Sequence, residues 1–256
     1  MRRVRLFGVA LASAVLLAGC HSVETKDRHK KMEDLASIHT QLATNYMRRG
    51  QFDVAEQELE AALDLDSSNA AANFAMATLK NTLHRPDQAM AYYVKAVKRA
   101  PSDSPMRLEY GAFLCRQGEP KKAIKEIKGV LDTPSWRPNG QAWFRLGECY
   151  FVQKDETQAE NALREALATN KNMAPALMLL ARIKYDQKSY LSARAWVQRY
   201  LALGRPNPRI LLLGVRTERA LGDLKSANHY KGQLLELFPS SPEVRMVDHT
   251  GTHRGK

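Results

Sequence analysis

The chain has 256 residues, 44% of them hydrophobic and 7% aromatic, which is enough apolar matter for one or two packed domains and rules out wholesale disorder. A net charge of +12 and a negative mean hydropathy exclude a polytopic membrane protein. Three cysteines are too few for a disulfide scaffold.

The N-terminus has the pattern of a lipoprotein signal peptide. Three arginines within residues 1–5 precede a 13-residue stretch of apolar and small residues, 6–18, which is too short for a permanent transmembrane helix. Leu17-Ala18-Gly19-Cys20 resembles a bacterial lipobox, in which the cysteine thiol takes a diacylglycerol. We expect residues 1–19 to be removed and Cys20 to carry lipid; an ordinary secretory signal with a chance cysteine is the alternative. His21, rather than Asp, after the cysteine favours the periplasmic face of the outer membrane.

Alanine then recurs at a helical-hairpin period. Six alanines are separated by 34 residues, once by 36, at Ala55, Ala89, Ala123, Ala159, Ala193 and Ala227. Twelve residues before each lies a second, mostly small residue: Ala43, Ala77, Gly111, Gly147, Ala181 and Val215. Two small residues per unit let two helices, A and B, cross closely. The pattern predicts an all-α fold, a right-handed superhelical solenoid of six tetratricopeptide repeats with a concave face lined by A helices.

The prolines agree with this register, since each falls in a first turn or a connection. We place a lipidated tether at 20–35 and a flexible tail at 242–256, with the six repeats between them at 36–69, 70–103, 104–137, 140–173, 174–207 and 208–241. Six acids between Gln51 and Asp66 are interpreted as the solvated face of one B helix.

Catalytic and metal-binding patterns are missing from the sequence. It has no glycine-rich phosphate loop, nucleophile elbow or HExxH motif, and the histidines lie in the tether, in the tail or in separate repeats. We therefore expect no enzyme activity, no metal and no cofactor other than the lipid on Cys20. Nucleic acid and small-molecule substrates are also not expected, and the basic charge suits an anionic membrane surface or an acidic partner.

The concave face predicts protein binding. Positions 2, 5, 9, 12 and 13 of helix A usually point into the groove of such repeats, and here they carry an apolar strip with arginines beside it. The alternative is that position 5 is buried between neighbouring A helices, so that some of these residues belong to the core. The candidate groove residues are Thr40, Met47, Arg48, Phe74, Leu108, Arg116, Phe144, Phe151, Met178, Arg182 and Tyr185.

Two cysteines stand near the ends of consecutive A helices. Cys115 and Cys149 are 34 residues apart in an oxidising compartment, so a disulfide is predicted, with two separate buried thiols as the alternative.

The sequence as a whole resembles the PilF/PilW type IV pilus biogenesis and stability lipoproteins. The resemblance covers residues 17–241 and is most specific in 110–114, 161–167, 190–194 and Leu211-Leu212-Leu213-Gly214-Val215-Arg216. It implies a pilotin that binds the pilus secretin subunits and promotes their outer-membrane localisation and multimerisation, and hence twitching motility. Another lipidated repeat adaptor, for outer-membrane protein insertion, cell-wall synthesis or type II secretion, is the alternative.

Overall fold

The described part of the chain is entirely helical. The computed structural model describes the backbone of residues 5–133 and 140–248 and the side chains of residues 27–133 and 140–247. Within these residues there are 13 α-helices and no strand. Their bounds are Arg5–Arg48 (α1), Phe52–Leu65 (α2), Ala70–Thr82 (α3), Pro86–Arg99 (α4), Ser104–Arg116 (α5), Pro120–Leu131 (α6), Gly140–Val152 (α7), Glu156–Thr169 (α8), Ala174–Asp186 (α9), Tyr190–Leu201 (α10), Pro208–Ala220 (α11), Leu224–Leu237 (α12) and Pro242–Asp248 (α13).

The helices pair into six A–B hairpins, and the predicted all-α tetratricopeptide repeat class is confirmed. The C-terminal end of α1 and α2 form the first hairpin, and α11 and α12 form the sixth. The chain divides into two compact units between Met106 and Arg107, and each is described by itself.

Every A–B turn contains one residue with a positive φ, between 56° and 78°. Glycine occupies the position at Gly50, Gly118 and Gly222, but a residue with a side chain does so at His84, Lys154 and Lys188. In the first turn the Gly50 N–H donates to the Met47 carbonyl, and the next N–H, of Gln51, donates to the Tyr46 carbonyl, both at 3.0 Å. This left-handed C-terminal cap satisfies carbonyls that helix A leaves unpaired and reverses the chain into helix B.

Close helix crossings occur where the small residues of helix A were predicted. A Cβ added at Gly111 would lie 2.7 Å from Ile127, and one added at Gly147 would lie 2.8 Å from Leu163. In each case the partner residue is 16 positions further on, on helix B. At these two crossings even an added methyl group would press on the side chain of helix B, whereas three other repeats accommodate a fully buried alanine at the same position, Ala43, Ala77 and Ala181.

The sixth hairpin corrects the prediction of Val215 as the small crossing residue. The close approach is made one residue earlier, where a Cβ on Gly214 would lie 2.8 Å from the ring of Tyr230. Lys231 occupies the position that Leu59 and its counterparts hold in the other repeats. A lysine is a poor core residue, so the tyrosine before it is buried instead, and the glycine before Val215 accommodates its ring.

Helices also cover the predicted tether and part of the predicted flexible tail. Helix α1 runs without a break through the predicted tether at 20–35, where the sequence has no proline or glycine and where the side chains of His29 and Glu33, four residues apart, lie 3.2 Å from each other. Helix α13 replaces the first half of the predicted tail, because Val247 is fully buried and its carbonyl accepts a hydrogen bond from Arg219 at 2.8 Å. Residues 249–256 of that tail lie outside the described residues.

The acidic run of the first B helix is not wholly a solvated face. Glu56 pairs with Lys80 on α3. Glu58 and the Nδ1 atom of His39 on α1 share a hydrogen bond of 2.6 Å, and the group that carries the proton is the donor. These acids therefore join helices within the first unit. Among the helices that the structure describes, none combines the length and apolarity needed to cross a bilayer.

Candidate partner-binding groove

The second unit contains a cavity of about 540 Å³ on the side formed by A helices. Its walls come from α7, α9 and α11, and α13 closes one end. The residues that line it are Phe144, Glu148, Phe151, Pro175, Met178, Leu179, Arg182, Tyr185, Asp186, Arg209, Leu212, Leu213, Arg216, Glu243 and Met246. We call this cavity the second-unit groove.

Five of the predicted groove residues are brought together here: Phe144, Phe151, Met178, Arg182 and Tyr185. The position rule, applied to every repeat, also includes six of the other lining residues. They are Pro175 and Arg209 at position 2, Leu212 at position 5, Glu148 and Arg216 at position 9 and Asp186 at position 13. The residues of α13, Glu243 and Met246, could not be found in this way because they lie beyond the last repeat.

The floor of the second-unit groove is apolar. Phe144 and Leu212 are only 6% and 5% exposed, so they present one surface to the groove and belong otherwise to the core. Phe151 and Met178 are half-buried and offer larger apolar surfaces. The groove therefore suits an apolar side chain of a partner.

The rim is charged, and its acids are matched by arginines. Glu148 pairs with Arg145 at 2.8 Å, Asp186 with Arg182 at 2.7 Å and Glu243 with Arg209 at 3.7 Å. These pairs are partly exposed, so each contributes modestly to stability, on the order of 1 kcal/mol or less.

Two further polar groups face the groove from neighbouring A helices. Burial raises the pKa of the Tyr185 phenol above its ordinary value of 10.0, although the positive charge of Arg216 opposes this shift. The phenol is therefore neutral at pH 7 and can donate a hydrogen bond. Arg216 is half-buried, and its Nε is buried without a hydrogen-bond partner among the described residues.

The remaining predicted groove residues lie elsewhere. In the first unit Thr40 is buried and donates to the Ala36 carbonyl at 2.7 Å, Met47 packs against the core, and Arg48 is exposed and bonds to Asn45. Phe74 is partly buried, with its ring edge-on to Tyr93 at 5.8 Å.

In the second unit Leu108 is 8% exposed, and Arg116 is exposed, with Glu109 at 3.7 Å. The alternative that position 5 is a core position thus describes Thr40 and Leu108 correctly. Neither of them lines the second-unit groove, nor does Arg116.

The two cysteines of the second unit are adjacent. Cys115 and Cys149 have Cα atoms 5.5 Å apart, within the range of disulfides, and the structure pairs their sulfur atoms. Both are buried, at 5% and 1% exposed. The geometry favours a bridge over two separate thiols. The side chain of Cys20 lies outside the described residues.

Comparison with known proteins places these helices in a family. One family model of the tetratricopeptide repeat matches residues 40–104 and 114–168, and a second such model matches residues 153–214. The type IV pilus assembly protein PilF of Pseudomonas aeruginosa is 28% identical over 91% of this chain and 93% of its own length.

Two solved structures are similar over most of the chain. The structure of PilW, described as a widely conserved type IV pilus biogenesis factor, has a TM-score of 0.78 and 29% identity, and covers 83% of this chain and 98% of that one. The structure of Pseudomonas aeruginosa PilF has a TM-score of 0.73 and 26% identity, and covers 86% of this chain and 99% of that one. The chain is therefore a tetratricopeptide repeat protein of the PilF/PilW type.

Proposed function

We propose that this protein is an outer-membrane lipoprotein of type IV pilus biogenesis, a pilotin that binds the pilus secretin and promotes its outer-membrane localisation and multimerisation. The observation that carries the proposal is the similarity to PilF across nine-tenths of both chains. Shared repeats alone would produce local matches to many repeat proteins, whereas this similarity extends over nearly the full length of both chains.

The sequence supplies the membrane part of the proposal. A lipid on Cys20 would hold the chain at the periplasmic face of the outer membrane, since each buried methylene contributes about 0.8 kcal/mol and several acyl chains make the anchorage effectively permanent. The helix from Arg5 to Arg48 would continue directly from the lipidated residue into the first repeat.

The second-unit groove supplies a binding surface. Its apolar floor and charged rim have the composition of a site for an amphipathic or extended peptide segment. In this proposal the secretin subunit contributes that segment, and the chain acts by binding rather than by catalysis.

The test is a deletion strain complemented with the wild-type chain or with Cys20→Ser. We expect the deletion to remove heat-stable secretin multimers from the outer membrane, together with surface pili and twitching motility, and the wild-type gene to restore them. Cys20→Ser should accumulate as an unprocessed or mislocalised chain and restore little. An unrelated outer-membrane lipoprotein, followed in the same fractions, controls for general sorting defects.

Normal amounts of secretin multimer in the outer membrane of the deletion strain would contradict the pilotin role. The chain would then be an adaptor for another envelope assembly, such as outer-membrane protein insertion, cell-wall synthesis or type II secretion. A normally sorted Cys20→Ser chain would contradict the lipid anchor alone.

A further inference from the structure

The charged residues that line the second-unit groove are three arginines, Arg182, Arg209 and Arg216, and three acids, Glu148, Asp186 and Glu243. Each of its three acids has its own arginine, at the pairs Arg145–Glu148, Arg182–Asp186 and Arg209–Glu243. Arg216 is the arginine left over, since it makes no hydrogen bond or ion pair within the described part of the chain. Because Glu148 pairs with Arg145, which does not line the groove, Arg216 is left as the lining charge without a counter-ion among the described residues.

The position of that charge is unfavourable for an empty site. The Nε of Arg216 is buried without an acceptor, which costs free energy, and the rest of its half-buried guanidinium side chain lines the groove, where an acceptor can reach it. Arginine binds a carboxylate through two parallel hydrogen bonds, which is the strongest and most directional use of the guanidinium. A neutral Tyr185 phenol lines the same groove and can donate a further hydrogen bond to such a group.

Apolar surface lies on both sides of Arg216. Helix α11, which carries it, packs between α9 and α13, so the groove continues past Arg216 in both directions. Phe151 and Met178 lie on one side and Met246 on the other. An occupant that fills the groove must therefore place its anionic group between apolar residues rather than at its end.

We infer that the second-unit groove recognises an acidic side chain, Asp or Glu, within an apolar segment of the partner protein, with the carboxylate bound by Arg216. This inference rests on the proposed function, because it describes how the same groove selects its partner. The volume of about 540 Å³ accommodates a few side chains and not a folded domain, which fits a short segment.

The first test leaves the identity of the partner open. The acylated full chain, purified in detergent, is used to select from a random phage-displayed peptide library in which each peptide is fused through its C-terminus, so that no free terminal carboxylate is present. We expect enrichment of peptides with Asp or Glu beside Phe, Leu or Met. Arg216→Gln should lose the acidic preference and keep the apolar one.

Matched variants separate the role of Arg216 from general charge. Arg216→Gln should weaken binding of a selected peptide by at least about tenfold, and Arg216→Lys by less. Arg205→Gln removes the same charge from an exposed arginine that does not line the groove, so it should weaken binding by no more than about twofold. Circular dichroism melting of each variant verifies that the repeats remain folded.

Several results would overturn the inference. These are equal acidic enrichment with wild type and Arg216→Gln, failure of the wild-type chain to enrich any peptide, or binding that needs a free C-terminal acid and ignores internal Asp and Glu. The last is measured with free-acid and amidated forms of one selected peptide. Equal loss of affinity in Arg205→Gln and Arg216→Gln would also overturn it.

A second library distinguishes this failure from failure of the proposed function. Overlapping peptides with capped termini that cover the secretin are tested with the same variants. If the random library shows the Arg216-dependent acidic preference and no secretin peptide binds, the secretin is the wrong partner and the recognition chemistry stands. If secretin peptides bind wild type and Arg216→Gln equally, the partner stands and the role of Arg216 is wrong.

Discussion

Arg194 on α10 places its Nε 3.0 and 2.9 Å from the two carboxylate oxygens of Glu218 on α11. The pair joins helix B of one repeat to helix A of the next, 24 residues later. Equivalent pairs are Glu56–Lys80 and Glu160–Lys184, in which the acid lies on helix B and the base on helix A. Arg194–Glu218 therefore has the reverse polarity of the other two, and its carboxylate is the most buried, at 2% exposed.

Removal of one partner should be costly at this site. Arg194→Met leaves the buried Glu218 carboxylate without its counter-charge, and we expect the free energy of unfolding to fall by about 3 kcal/mol. Chemical denaturation at neutral pH measures it.

The double variant Arg194→Glu with Glu218→Lys reproduces the polarity of the other repeats. It should recover part of the loss seen with Arg194→Glu alone, although Asp223, 3.6 Å from the Arg194 guanidinium, would then face a carboxylate. A double variant less stable than both single variants would contradict the assignment of these positions as an inter-repeat ion pair.

Two glycine-to-alanine substitutions should change the stability in opposite directions, because one glycine lies at a helix crossing and the other does not. Gly147→Ala places a Cβ 2.8 Å from Leu163 Cγ, so the helices must separate, and we expect a loss of about 1–3 kcal/mol despite the better helix propensity of alanine. Gly232→Ala in α12 is the matched control, since nothing lies within 4 Å of its added Cβ. It should stabilise the chain by about 0.5–1 kcal/mol. Thermal melting that shows the same sign for both would contradict the close crossing.

Glu160 should make the stability depend on pH. Its burial would raise the pKa, but hydrogen bonds from Lys184 and Arg164 outweigh this and lower the pKa below its ordinary value of 4.5. A carboxyl group with a lowered folded pKa contributes stability above pH 4.5, and this contribution is lost as the pH falls through the folded pKa.

Glu160→Gln removes this contribution. The variant should be less stable than wild type at pH 7, by about 1–2 kcal/mol, and the difference should shrink as the pH is lowered below 4.5. Glu165→Gln changes the charge equally at an exposed position of the same helix and should alter stability little at any pH. Melting temperatures measured from pH 7 to acid give the comparison, and a constant difference between Glu160→Gln and wild type would contradict the shift.

Oxidation of Cys115 and Cys149 should stabilise the second unit. We expect the non-reduced mass of the mature chain to correspond to one disulfide, and reduction to lower the free energy of unfolding by about 2–4 kcal/mol. The double variant Cys115→Ser with Cys149→Ser should be insensitive to reductant. Two free thiols in protein taken directly from the periplasm would show that the adjacent cysteines are separate buried residues.

The helical hairpins could be predicted because their determinants are local and repeated. The alanines 34 residues apart and the small residues before them indicate where two helices must cross, and the helices do approach closely at Gly111 and Gly147. The positive φ of His84, Lys154 and Lys188 could not be predicted, since a glycine is absent and the turn geometry is imposed by the two helices it joins. The shift of the close crossing from Val215 to Gly214 could not be predicted either, because it depends on the burial of Tyr230 in place of the residue that helix B usually buries.

Of the eleven residues predicted for the groove, five lie around one cavity of the structure and six do not. Phe144, Phe151, Met178, Arg182 and Tyr185 do line one cavity, since the position of a residue in a repeat determines the side on which it projects. Whether a residue at such a position is buried depends on the sizes of the neighbouring side chains, and Thr40 and Leu108 are buried in the core. The helix α13 is too short, at seven residues, to show a periodic pattern, and its contribution to the groove required the structure.

Co-purification of the pilus secretin with the acylated chain tests the proposed role most directly. The wild-type chain, Phe151→Ala and the exposed control Val152→Ala on the same helix are each isolated from outer membranes, and the secretin that accompanies them is quantified. We expect the secretin with wild type and with Val152→Ala, and about thirtyfold weaker binding with Phe151→Ala, the loss typical of an aromatic anchor of about 2 kcal/mol. Absence of secretin from the wild-type sample would contradict the pilotin role, and equal recovery with all three chains would contradict the second-unit groove as its binding site.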